Sequence, residues 1–245
     1  MKGLNIGSGC NNVFPMPSHC EKLDSTKYGY VKKSDIDVDY DLKEFTQINR
    51  PENFYDYIYT SHVIEHLLNE NVEHIFKESY RMLKKDGIIR ITCPDYDKLL
   101  KMYLNNENIS ELWGPCGCSC KSNYDWFMMN GFCYTSSVCK DFVNFVEDND
   151  IISESKFNEI FNEKGKVGTF DYLYNINKKY SSHPSHPTGF HINWWNYMKI
   201  KSYLEKVGFK DVVLQKNNTS YMKELTDYRF NTTLPKMSIY VEAKK

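Results

Sequence analysis

The strongest constraint on the fold lies between residues 4 and 100, where short apolar runs alternate with segments of helical periodicity. Strands separated by helices return in the same direction rather than as hairpins, so the alternation predicts βαβ units and a parallel sheet. Leu4-Asn5-Ile6 is a short strand ending at Gly7-Ser8-Gly9, and Glu21-Lys22-Leu23-Asp24 is a weaker second one. Residues 36–42 alternate Asp with apolar residues and give a third; Tyr57-Ile58-Tyr59-Thr60 is a fourth. A helix through His66 follows, then a second helix over 72–83. Lys84-Lys85-Asp86-Gly87 reads as a turn whose glycine caps that helix. Ile88-Ile89-Arg90-Ile91-Thr92 is the clearest strand, β-branched and closed by Pro94.

Beyond this block the pattern changes. Residues 105–189 are rich in aromatics, Asn, Ser and Cys with poor periodicity, and 138–146 is the one helix they suggest. This stretch reads as a substrate-capping insertion of roughly 80 residues over the C-terminal strand ends, where ligands bind in such sheets. Regular pattern resumes with a helix over 196–206, Gly208 beyond its end, and strands at 209–214 and 238–243. Three segments follow: a cofactor-binding core at 1–104, the insertion at 105–189, and completion of the core at 190–245.

At 245 residues with 41% hydrophobic side chains, the chain can bury a large core. A formal charge of −1 argues against nucleic acid as a partner. No apolar run reaches the ~20 residues of a membrane span, and the N-terminus lacks a signal-peptide pattern. The expectation is a cytoplasmic protein with no membrane insertion, whose eight cysteines are mostly free thiols.

The chemistry starts at the glycines. Gly7-Ser8-Gly9 lets the backbone approach a ligand, and a helix after it would favour a carboxylate. Asp24 stands 17 residues after Gly7, near the spacing at which an acid accepts hydrogen bonds from both hydroxyls of a ribose. Asp41 closes the third strand, where an adenine edge would lie; Asp35, Asp37 and Asp39 crowd nearby. A nicotinamide-dependent oxidoreductase would share these features, but its fingerprint needs a third glycine where this chain has Asn12.

Together the segments resemble the class I S-adenosylmethionine-dependent methyltransferases. Leu4-Asn5-Ile6-Gly7-Ser8-Gly9 is similar to their first motif, and Tyr55 onward (YDYIYTSHVIEHL) to their FDxIxxSHVLEHL segment. RMLKKDG, from Arg81, resembles RVLKPGG, and IIRITCPDYDKL, from Ile88, resembles LRIxVPDLxKL. YLEKVGF, from Tyr203, resembles LLEEAGF. The subgroup most similar is the methyltransferases of bacterial surface-polysaccharide gene clusters, including the pair in capsular O-methyl phosphoramidate synthesis. Lys85-Asp86 stands where the family has Pro-Gly, and Ser8 where the subgroup often has Cys.

The resemblance implies an α/β, Rossmann-like, doubly wound, mostly parallel seven-stranded sheet with a largely helical or irregular insertion after strand five. It implies S-adenosylmethionine as cofactor and a small phosphorylated or sugar-linked acceptor, a glycan precursor for a capsule. Asn5, Gly7, Ser8 and Gly9 would contact the methionine part, Asp24 the ribose and Asp41 the adenine side. Ser61 and His62 would flank the sulfonium and the acceptor. His191 and His62 are the candidate bases, since imidazole titrates near neutrality. A non-catalytic cofactor-binding protein is the other alternative, and an aromatic-rich insertion could equally form a homodimer contact.

Three patterns compete for attention. His62-Val63-Ile64-Glu65-His66 spells H-x-x-E-H, a metal pattern if helical, but it falls where the resemblance puts a post-strand helix. Cys93-Pro94-Asp95-Tyr96 faintly resembles the motif of base-modifying methyltransferases but has one proline and follows strand five. Cys116, Cys118 and Cys120 are spaced too closely for most structural zinc sites, and no metal is expected. His183, His186 and the Trp194-Trp195-Tyr197 group lie where the insertion returns; the tryptophans read as core.

Overall fold

A computed structural model describes residues 1–9, 16–113, 119–230 and 232–245. They divide into two compact units, Met1–Cys93 with Asn196–Lys245, and Pro94–Trp195.

The first unit is a seven-stranded sheet. Its strands are β1 (Gly3–Ile6), β2 (Cys20–Asp24), β3 (Val38–Asp39), β4 (Tyr55–Ser61), β5 (Leu83–Pro94), β6 (Lys210–Gln215) and β7 (Ser238–Lys244), in the order β3-β2-β1-β4-β5-β7-β6. β1 pairs in parallel with β2 and β4, as do β2 with β3 and β4 with β5, while β6 and β7 run antiparallel. This is the expected mostly parallel, doubly wound sheet. The register puts Ile6 beside both Leu23 and Thr60. Gly7, Asp24 and Ser61, one residue further on each strand, therefore reach the same sheet edge.

Three local readings need correction. β3 is a two-residue strand rather than seven. Its acids take over nearby N–H groups: Asp37 accepts from Lys22 N, and Asp39 from Thr26 N and Oγ1. After β4 there is only a 3₁₀ turn, Ile64–His66, and His62 has a left-handed backbone (φ 52°). The H-x-x-E-H spacing thus has no helix to bring its histidines onto one face. α1 (Asn69–Met82) passes straight into β5, and positive φ falls on Asp86 (62°), not on a capping glycine. Tyr55 pairs with Leu83 and Tyr57 with Ile88, so 84–87 bulge from the strand. Gly87 is needed for clearance: a Cβ there would lie 2.9 Å from Lys84 O and 3.1 Å from Asp56 O.

The core readings hold at the other end. α5 (Tyr197–Val207) is capped by Asn196, which accepts from Lys199 N at 2.8 Å, and closes on Gly208 at φ 117°. β5 and β7 are locked by a fully buried ion pair, Arg90 Nη1 to Glu242 Oε1 at 2.6 Å. Arg90 also donates to Thr219 O, and Glu242 accepts from Gln215 and Tyr221 N. Desolvating two charges is costly unless such bonds satisfy them.

The second unit is helical, with α2 (Tyr96–Leu104), α3 (Asn123–Met129) and α4 (Glu154–Ser181). Tyr96 is its centre, packed on Phe127, Phe132 and Phe170, with Trp194 5.0 Å from Phe170. Trp194 and Trp195 are buried, as expected for core. The suggested helix over 138–146 is a 3₁₀ segment, Ser137–Asp141, followed by turns. The long α4 escapes a periodicity search because Gly165 (φ 66°, ψ −178°) breaks it into two halves with separate apolar faces. No helix among the described residues is long and apolar enough to cross a membrane.

Candidate active site

β1 delivers its glycines into a tight turn. Gly7 N and Ser8 N both donate to Leu23 O, at 2.9 and 3.1 Å. Gly7 (φ 69°) and Gly9 (φ 61°) are left-handed, and a Cβ on Gly7 would lie 2.3 Å from Val63 Cγ2. Only glycine meets both demands. Asn5 and Ser8 are buried beside them. The expected helix after the turn, with Asn12, falls on residues 10–15, outside the described residues.

Asp24 ends β2 and is 3% exposed. Its Oδ2 accepts from Gly9 N at 2.8 Å; its Oδ1 accepts from Ser25 N at 2.8 Å and from the Tyr30 hydroxyl at 2.9 Å. The glycine turn and the acid are thus one hydrogen-bonded unit. It lies where the strand order reverses, between β1 with its β2 neighbour and β4, the place where open α/β sheets bind ligands.

Asp41, also buried, is committed elsewhere. It binds Lys27 Nζ at 2.8 Å, the Tyr28 hydroxyl at 2.9 and 3.0 Å, and Lys43 N at 3.0 Å. Burial pushes its carboxyl up, but these donors together hold it below the ordinary range. An adenine amine would have to displace one of them. Burial and the neighbouring carboxylates raise the Tyr28 and Tyr30 hydroxyls, which stay protonated donors.

Ser61 closes β4 and accepts from Thr92 Oγ1 at 2.8 Å. His62 is held on both sides, Nε2 2.7 Å from Ser238 Oγ and Nδ1 3.2 Å from Glu65 Oε1. Ser238 Oγ lies 2.9 Å from Leu234 O, and giving its one proton to that carbonyl leaves it to accept from His62 Nε2–H. His62 therefore ties the end of β4 to β7. In the second unit His191 is 7% exposed, with Nδ1 2.8 Å from Asn130 O. A carbonyl can only accept, so Nδ1 carries the proton of that bond.

The weaker signals resolve by contact. Asp95 caps α2 by accepting from Asp97 N and Lys98 N, a structural use of the Cys93-Pro94-Asp95-Tyr96 run. His183 stacks on Phe145 with centroids 3.8 Å apart, and His186 Nδ1 lies 2.5 Å from the Tyr134 hydroxyl. Cys116 and Cys118 lie outside the described residues. Burial raises the thiols of Cys133 and Cys139, the latter to about 12, which removes them as nucleophiles. Sequence reasoning missed Lys27, Tyr28, Tyr30 and Thr92. The one signal for the tyrosines was Tyr28-Gly29-Tyr30 so soon after Asp24.

A family model for the methyltransferase domain matches residues 16–91. Comparison with curated protein sequences found no match. Among solved structures, the chain is similar to a methyltransferase from Thermotoga maritima described as a possible histamine N-methyltransferase (11% identity, 100% of this chain and 82% of that one, TM-score 0.45). It is also similar to an S-adenosylmethionine-dependent methyltransferase from Archaeoglobus fulgidus (14% identity, 100% and 86%, TM-score 0.45). Human N-acetylserotonin methyltransferase is similar at 12% identity over 99% of this chain and 47% of that one, with a TM-score of 0.39. The domain match over residues 16–91, the strand order and the acid-bound glycine turn at the switch point agree with one another: over that stretch the chain is similar to a methyltransferase domain.

Proposed function

We propose that this protein is an S-adenosylmethionine-dependent methyltransferase that modifies an oxygen of a small phosphorylated or sugar-linked acceptor, a precursor of a surface polysaccharide such as a capsule. The observation that carries the cofactor side is Asp24, a buried carboxylate at the end of β2 joined to Gly9 N at 2.8 Å. The residues fit the group: Gly7 and Gly9 hold the turn in the left-handed backbone that glycine favours, and Asp24 Oδ2, with one protein donor, has acceptor capacity left. The acceptor class is supported by the motif resemblance to polysaccharide-cluster methyltransferases. The net charge of −1 favours a small molecule or glycan precursor over nucleic acid. We place the reaction in the cytoplasm, and a homodimer built through the aromatic-rich segment is testable by sedimentation.

In this reading Asn5, Gly7, Ser8 and Gly9 hold the methionine end, Asp24 the ribose, and Asp41 lies on the adenine side. When bound, the cofactor supplies an electrophilic methyl group on a sulfonium sulfur. Ser61, oriented by Thr92, and His62, anchored by Ser238 and Glu65, position the reacting groups. His191 is the base proposed to take the acceptor's proton. An acceptor that is already an anion, such as a phosphate oxygen, needs no base.

Calorimetric titration with S-adenosylhomocysteine, and separately with NADH, tests the cofactor site. Micromolar binding of the first alone, weakened at least tenfold in Asp24→Ala, is expected. NADH binding instead would turn the reading toward an oxidoreductase. Methyl transfer to a panel of sugar phosphates tests the acceptor; binding without turnover on any of them would favour a non-catalytic protein.

A further inference from the structure

Asp24 and Asp41 are each held by a tyrosine from one short segment. Thr26–Tyr28 forms a 3₁₀ turn that ends on Gly29 at φ 77°. Tyr28 donates to Asp41 and Tyr30 to Asp24, and their rings are near-parallel, 11° apart in plane with centroids at 6.3 Å. The segment is pinned at both ends, Thr26 by two hydrogen bonds to Asp39 and Val31 by burial. Tyr30 itself is 50% exposed, and a Cβ on Gly29 would meet nothing within 4 Å. The two tyrosines are thus carried on one short turn between two fixed points.

The acceptor capacity of Asp24 makes the arrangement matter. A carboxylate offers about two hydrogen-bonding directions on each oxygen. Oδ1 has both engaged, by Ser25 N and the Tyr30 hydroxyl, whereas Oδ2 has one, by Gly9 N. The vicinal hydroxyls of a ribose need one acceptor direction on each oxygen. Ser25 N is fixed by the backbone beside the carboxylate, and Tyr30 is the donor that can leave.

We propose that Tyr30 is a displaceable stand-in for a ribose hydroxyl: it holds Asp24 Oδ1, and the nucleoside end of the cofactor must exchange with it to bind. This rests on the reading of Asp24 as the ribose acid. The exchange trades one hydroxyl donor for another on the same oxygen, so Tyr30 lowers the net gain from that contact. It keeps the buried carboxylate hydrogen-bonded and aimed until the ligand arrives. Tyr30 then tunes cofactor affinity through Asp24 without itself being a catalytic residue.

The test is the Kd of S-adenosylhomocysteine, by calorimetry, for the wild type, Tyr30→Phe and Asp24→Asn. Tyr30→Phe keeps the ring and its stacking on Tyr28 and removes only the competing donor. It is expected to bind roughly threefold to tenfold tighter, the modest net value of a charge-assisted hydrogen bond that water can partly replace. Unchanged or weaker binding in Tyr30→Phe, with wild-type binding intact and weakened in Asp24→Asn, would overturn the exchange while leaving the ribose reading in place. Failure of the wild type to bind S-adenosylhomocysteine would remove both.

Discussion

Glu21 shows how much a single polar residue of this sheet depends on its surroundings. It sits on β2 with Lys2 Nζ at 2.6 Å, Arg50 Nε at 2.8 Å and the Tyr55 hydroxyl at 2.7 Å. Burial pushes its carboxyl up, but Lys2, Tyr55 and Arg50 outweigh that and bring it down to about 2. A carboxylate with a depressed folded pKa adds stability above its unfolded pKa and loses it as pH falls through the folded one. Wild type is therefore expected to melt roughly 2–6 °C above Glu21→Gln at pH 7. The gap should close between about pH 4.5 and pH 2, and a gap that persists at pH 2 would show that packing, not charge, is the cause. At this scale the residue types of the proposed cofactor site stood out in the sequence: the paired glycines and an acid at ribose spacing. The tyrosines on Asp24 and Asp41 did not, because the turn at Gly29 decides which side chains reach a carboxylate.

At the scale of elements, β1, β4, β5, α1, α5 and β7 were legible because one pattern, buried strand or one-sided helix, runs through each. α4 was not. A glycine inside a helix usually lowers stability relative to alanine. Gly165 does the opposite, since φ 66° with ψ −178° is a conformation that side chains all but exclude. Gly165→Ala is expected to destabilise the protein by about 1–3 kcal/mol in urea unfolding. A stabilised variant would mean that the break is not required and that the helix can straighten. His62 carries a related lesson. Its left-handed backbone ends the path from β4, so a sequence that reads as the start of a helix supplies an anchor to Ser238 instead.

For the whole molecule, a nucleoside cofactor held by Gly7, Gly9 and Asp24 should stabilise the unit of Met1–Cys93 and Asn196–Lys245. At a hundredfold excess over Kd the stabilisation is about 2.7 kcal/mol. Hydrogen exchange with S-adenosylhomocysteine is expected to slow most at residues 4–9 and 20–31, and less across 94–195. Slowing confined to 94–195 would place the ligand's contacts elsewhere. The sequence by itself determined the sheet, the order of its motifs and the glycine–acid pair, because strand alternation, β-branching and special backbone angles are written in residue types one after another. Only the tertiary structure decided that Asp41 is saturated by Lys27 and Tyr28, that His62 is anchored twice, and that Tyr30 holds Asp24. Those outcomes depend on which donors meet which acceptors across the fold, and hydrogen-bond capacity is shared in space rather than along the chain.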